Sequence, residues 1–387
     1  MRSPNPPLWP CSNQKMNSRQ HPGIYVHVPF CVSKCIHCDF YSEAGLSMVP
    51  AWLKGLGQEM LLYRDRFPAF DTLYVGGGTP TVLDDAQLRQ LFHMLYKSLD
   101  VAKDSEITVE ANPNDVTAEK LGMLRECGVN RVSLGVQSFD DRDLLFLKRR
   151  HTARQAEQAL ELIKSCGISS LSVDLIYGIP GQTVDGWMET LERAVAFKPG
   201  HLSCYQLTVA EGTVLCEMQK RGITRLPAEA EGESLFLATA QYLEKAGYVH
   251  YEISNYALGK KNVSRHNQKY WQHVPYLGLG PAAHSFREDK RWWNCRSVAE
   301  YCGALEKGIA PVSGEELLTP EQLELEALYL GLRTTRGDDE ALMFSSRERR
   351  MLLREMLRAD YVRREGQKVI PTTKGFLVAD RMAAILS

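Results

Sequence analysis

The chain has 387 residues, 44% hydrophobic and 24% charged, with a net charge of −1. This describes two or three domains, or one large α/β body with an appendage. The balanced charge excludes the attraction to nucleic acid that a basic face would provide, and no apolar run approaches a membrane span.

Residues 1–20 carry Pro4, Pro6, Pro7 and Pro10 and lack an apolar signal core, so they read as a disordered leader. Arg2, Lys15 and Arg19, with no acidic residue among them, also suit an organellar presequence, and Met16 offers a second start.

From residue 24 to about 210, short apolar runs at 24–28, 72–75, 107–109, 131–136, 172–176 and 202–207 alternate with helical patterns. Several runs are apolar on both faces, as parallel strands buried between helices should be. The intervening helices are expected at 49–63, 84–99, 118–127, 153–165 and 184–197. Asp84 and Thr117 suit N-caps, while Gly128 and Gly167 suit stops. Six such units are too few for a closed eight-fold barrel, so the expected fold is α/β, an incomplete (β/α)6 parallel barrel.

The first strand runs into Cys31-Val-Ser-Lys-Cys35-Ile-His-Cys38. Three thiolates at this spacing suit three corners of a cubane iron–sulfur cluster and leave one iron open, since a full set is four. The competing reading is zinc held by the three cysteines and His37, which would crowd every ligand into eight residues without a second knuckle. The other seven cysteines are scattered singly and read as reduced.

Further along, Gly76-Gly-Gly-Thr-Pro80 follows a strand and lets backbone approach a ligand closely. Glu110 and Gln137 close apolar strands, and Asp174 sits inside one. A carboxylate in an apolar run is costly unless paired, so a shared polar ligand such as a ribose accounts for the set. Arg149 offers that ligand a planar donor, or belongs with Lys148 and Arg150 to a solvated helix end.

After residue 210 the pattern changes. Residues 21–255 are expected to form the core, 256–318 an aromatic, glycine-rich linker segment, and 319–387 a winged-helix-like unit ending in a hairpin around Gly366. The arginines at 347, 349, 350, 354 and 358 are interleaved with acids and read as a solvated face, not a DNA-binding one.

Taken together, Tyr25-x-His-Val-Pro-Phe-Cys31-x3-Cys35-x2-Cys38, Gly76-Gly-Gly-Thr-Pro80, Glu110-Ala-Asn-Pro113 and Gly135-Val-Gln-Ser-Phe139 resemble the radical S-adenosylmethionine (SAM) superfamily. Within it the chain resembles the oxygen-independent coproporphyrinogen III oxidase-like branch, and there its haem chaperones. The resemblance implies a [4Fe-4S] cluster on Cys31, Cys35 and Cys38, and SAM contacts at Tyr25, His37, Gly77, Gly78, Thr79, Glu110, Gln137, Arg149 and Asp174. True coproporphyrinogen oxidases of this type carry a further cysteine one residue past the third ligand; here Cys38 is followed by Asp39 and Phe40.

The stretch His266-Asn-Gln-Lys-Tyr-Trp271 resembles a haem-binding motif of those chaperones, which implies haem contacts at His266, Asn267, Tyr270 and Trp271. Physically, His266 offers an axial imidazole, and Tyr270 and Trp271 could cover a porphyrin face. The leading expectation is a cytoplasmic homodimer, associated peripherally with the membrane, that binds haem and transfers it to respiratory apoproteins without engaging nucleic acid. The alternative is a radical SAM enzyme acting on a porphyrinogen.

Overall fold

The computed structural model describes residues 21–343 and 347–386; the leader expected at 1–20 lies outside them. All six expected strands form: β1 Gly23–Val28, β2 Phe70–Gly77, β3 Val101–Ala111, β4 Arg131–Gln137, β5 Ser170–Tyr177 and β6 His201–Gln206. They pair in parallel in chain order, each with the next. One face of the sheet is apolar, with Ile24, Val26, Leu73, Val75, Val132, Leu134 and Val173 fully enclosed; the other, expected to be apolar as well, carries buried polar Thr72, Thr108, Arg131, Ser133 and Ser172. Each of the enclosed apolar side chains contributes about 1.5–3 kcal/mol of burial.

Helices Val49–Tyr63, Asp85–Ser98, Ala118–Glu126, Ala153–Ser165 and Val184–Ala196 connect the strands. Asp84 caps the second by accepting from the Gln87 amide, and Thr117 caps the third from Lys120. Gly128 and Gly167 follow helix ends with φ of 88° and 82°, a left-handed geometry that glycine adopts at little cost.

The sheet does not close on itself. Beyond β6 lies the short antiparallel strand β7, Asn255–Ala257. Beyond β1 lies a strand not anticipated, β8, Tyr276–Leu279, parallel to β1. Antiparallel strands His284–Arg287, Lys290–Asn294 and Val312–Leu317 extend that edge. Thus much of 256–318, expected as linker, continues the main sheet. Its aromatic content hid the period-2 pattern, because Trp292 faces the core while Trp293 faces partly outward.

Buried Glu59, on the first helix, ties this extension down. It accepts from the Gly280 amide at 2.8 Å, Asn294 Nδ2 at 2.6 Å and the Tyr301 hydroxyl at 2.5 Å.

At the C-terminus, helices Pro320–Gly331 and Arg347–Arg358 pack with hairpin strands Val362–Glu365 and Lys368–Pro371 around a separate small core that includes Leu328, Leu332, Leu353 and Val369. Gly366 makes the hairpin turn at φ 61°. This is the winged-helix-like arrangement expected. Among the described residues, no helix is long and apolar enough to cross a membrane.

Candidate functional site

A cavity of about 700 Å³ opens toward the carboxyl ends of the parallel strands, where α/β folds place their ligands. Cys31, Cys35, His37, Cys38, Gly77, Gly78, Thr79, Glu110, Gln137, Arg149, Asp174 and Asn267 all line it; Tyr25, His266, Tyr270 and Trp271 do not. Eleven residues picked from five separate strand ends and loops therefore meet on one wall system, joined by Asn267 from a helix far along the chain.

The cysteine loop is held from beneath by the glycine turn. Gly78 N donates to Val28 O and Thr79 N to Phe30 O, both at 2.8 Å. Thr79 Oγ1 lies 3.5 Å from Cys31 Sγ. A Cβ at Gly78 would stand 2.5 Å from Phe30 O, and one at Gly77 2.5 Å from His27 Nδ1. The turn is glycine because backbone and loop touch there, and Gly77 also needs its φ of 108°.

Arg149 reaches into the cavity, donating from Nη1 to Cys35 Sγ at 3.3 Å and from Nη2 to Gly135 O at 2.9 Å. Its neighbour Arg150 instead pairs on the surface side with Asp115. Two buried nitrogens at the wall, His37 Nδ1 and Arg149 Nε, have no hydrogen-bond partner among the described residues. Unpaired buried polar atoms are uncommon and suit a polar occupant.

The three thiols share this wall without forming a disulfide. Among the described residues no three His, Cys, Asp or Glu side chains gather tightly enough for a single metal ion. Burial pushes the Cys38 thiol up to about 11, so a metal there must displace its proton on binding.

Two carboxylates also line the cavity. Glu110 accepts from the Tyr74 hydroxyl at 2.8 Å and from the Gly77 amide at 3.0 Å. Burial pushes it up to about 7, and Asp174 adds to the rise. Asp174 accepts from Ser133 Oγ at 3.0 and 3.1 Å. Burial raises it as well, opposed by its hydrogen bonds and by the Arg131 and Arg149 guanidiniums. Gln137 closes β4 at φ 69°, a conformation non-glycine residues hold only when neighbours enforce it.

Tyr74, Ser133 and Arg131 were not singled out from the sequence. Tyr74 stands two residues before Gly76 on the same strand, so the period of two carries the only signal for it.

Beneath the cavity lies the helix Arg265–Trp271. His266 is buried, with Nδ1 2.9 Å from Thr72 Oγ1 and Nε2 2.9 Å from the Tyr270 hydroxyl. Its ring stacks on Tyr74, centroids 5.1 Å apart. Burial lowers its imidazole to about 3, with Lys269 adding to the fall. Ligation of a haem iron by His266 would therefore have to break one of these bonds and expose the ring. Tyr25 sits at the same level, its hydroxyl 2.9 Å from His27 Nδ1 and its ring 6.2 Å from Tyr74. Trp271 lies to the side, under the Arg333 guanidinium.

Residues 25–194 match the model of the radical SAM superfamily. The chain is 36% identical to the haem chaperone HemW of Bacillus subtilis over 318 residues, 81% of this chain and 83% of that one. It is 35% identical to HemW of Mycobacterium tuberculosis over 372 residues, 94% of each. Among solved structures, coproporphyrinogen III oxidase (HemN) of Escherichia coli superposes with a TM-score of 0.82 at 22% identity, covering 95% of this chain and 90% of that one. This last likeness concerns the fold.

Proposed function

The chain belongs to the HemW family within the radical SAM superfamily, and from that premise we propose that it binds haem and delivers it to haem-receiving respiratory apoproteins. The observation that carries this reading is about 35% identity to haem chaperones over nearly the full length of both chains. We further propose that it works as a homodimer in the cytoplasm, at the membrane surface. Light scattering and co-sedimentation with anionic vesicles test those two points.

On this reading Cys31, Cys35 and Cys38 hold a [4Fe-4S] cluster, and SAM occupies the rest of the cavity. When bound, the cluster supplies single electrons and one open iron position. The chain's own residues orient SAM. The Gly77–Thr79 backbone bounds one side, while Glu110, Gln137 and Asp174 face its polar groups. Arg149 and His37 bring unpaired nitrogens to the cluster side, and Tyr25 acts from below through His27 and Tyr74.

For the cargo, the contacts expected at His266, Asn267, Tyr270 and Trp271 require the helix to open. His284 offers an imidazole without that cost: it is exposed on the strand His284–Arg287 and stacks on Trp293 at 5.8 Å.

The test is a haem titration followed by transfer to an apo-haem protein. A Soret band that appears on titration and moves to the acceptor supports the chaperone. Absence of binding overturns it, as would oxidation of a porphyrinogen by the reduced, SAM-loaded protein with no haem transfer. Comparing His284→Ala with His266→Ala separates the two cargo placements.

A further inference from the structure

The helix Arg265–Trp271 belongs mechanically to the cavity. Its N-terminus is clamped to β3, with Glu106 accepting from the Arg265 amide at 3.1 Å and from the His266 amide at 2.9 Å. Its His266 ring is then seated on β2, bonded to Thr72 and stacked on Tyr74.

Thr72, Tyr74 and Gly76 alternate along β2, and β3 sets Glu106 beside Thr72. They therefore point to one side of the sheet. On that side Tyr74 donates to Glu110, and Glu110 receives the Gly77 amide. A Cβ at Gly76 would come within 2.8 Å of both Glu110 and the Tyr74 ring, so this stack has no slack. A continuous path of contacts thus runs from His266 through Tyr74 and Glu110 to the glycine turn that supports the cysteine loop.

We propose that the helix Arg265–Trp271 is a positioning element of the cofactor cavity, in which His266 fixes the Tyr74 ring so that its hydroxyl holds Glu110 against the Gly77 amide. His266 touches neither cofactor nor cargo in this role and acts through Tyr74. The inference rests on the reading that the cavity takes SAM.

The experiment uses full-length protein with its cluster reconstituted anaerobically. SAM affinity is measured by equilibrium dialysis, and SAM contact with the cluster by the change in the reduced cluster's electron paramagnetic resonance signal. Tyr74→Phe keeps the ring and the stack but removes the donor; His266→Ala removes the support. Each is expected to weaken SAM binding about 5- to 20-fold and to diminish the SAM-induced spectral change.

The double variant is expected to bind no worse than the weaker single one, because both act on the same carboxylate. Iron content of Tyr74→Phe is expected to match wild type, which shows that the protein still folds and holds its cluster. Strict additivity, or SAM affinity within twofold of wild type in either single variant, overturns the proposal. If wild type itself binds no SAM, the proposal and the SAM reading both fall. Wild-type binding with unaffected variants removes the proposal alone.

Discussion

Glu59 is buried with three donors on its carboxylate and, among the described residues, no ion-pair partner. Burial outweighs those donors and pushes it up to about 7. The folded state therefore holds its proton at pH values where the unfolded chain has released it. The stability this gives is complete below about pH 4.5 and is lost as pH rises to about 7. His27, His37, His151 and His250, each lowered by burial to about 4, act oppositely, favouring the fold as pH rises toward 6.5.

Comparison with a variant cancels these shared terms. Glu59→Gln is expected to gain on wild type by ~3 kcal/mol between pH 4.5 and 7, with no further gain above. Urea unfolding of both proteins at pH 5, 6, 7 and 8 checks this; a pH-independent difference would contradict the assignment.

Gly78 carries a second prediction at this scale. A methyl group there meets backbone carbonyls of the strand leading into the cysteine loop. Gly78→Ala should therefore lift the turn from the loop, cost about 1–3 kcal/mol, and lower the iron retained per chain after reconstitution. Gly122→Ala, where a Cβ would meet nothing within 4 Å, serves as the control and should retain wild-type iron.

At the scale of elements, the helix Arg265–Trp271 has a second connection. Trp271 lies under Arg333, which also stacks on Tyr329 and pairs with Asp380. Asp380 in turn reaches the rim of the cavity. One seven-residue helix thus contacts both the cavity floor and the C-terminal unit.

Arg333→Ala removes the ion pair and both ring contacts at once. It should speed amide exchange across residues 320–342 and 347–386 severalfold while leaving β1–β6 unchanged. Uniform acceleration across the sheet would instead mean that the variant destabilises the whole molecule.

At the scale of the whole molecule, the parallel sheet explains why distant residues converge. Every right-handed crossover returns the chain in the same direction, so all strand ends of one polarity fall on one side. Charge is nearly balanced across the whole chain, and three of the C-terminal arginines pair locally: Arg349 with Glu324, Arg363 with Glu365, Arg364 with Glu340. Duplex DNA at physiological salt is accordingly expected to give no mobility shift. A strong shift that weakens steeply with salt would contradict this expectation.

The six parallel strands, their helices and caps, and the cysteine loop with its glycine turn were legible in the sequence. Each is encoded locally, by a run of apolar residues, a capping side chain, or ligands a few positions apart. The parallel partner of β1 was not, because β8 is four residues long and lies about 250 positions from the strand it pairs with. Nor was the place of His266, whose motif spells an imidazole beside two aromatics in either an open or a closed site. Only the packed chain decided that the ring lies beneath Tyr74 with both nitrogens engaged. Periodicity and spacing determine which face a residue occupies on its own element; which other element covers that face depends on contacts between residues far apart in the chain.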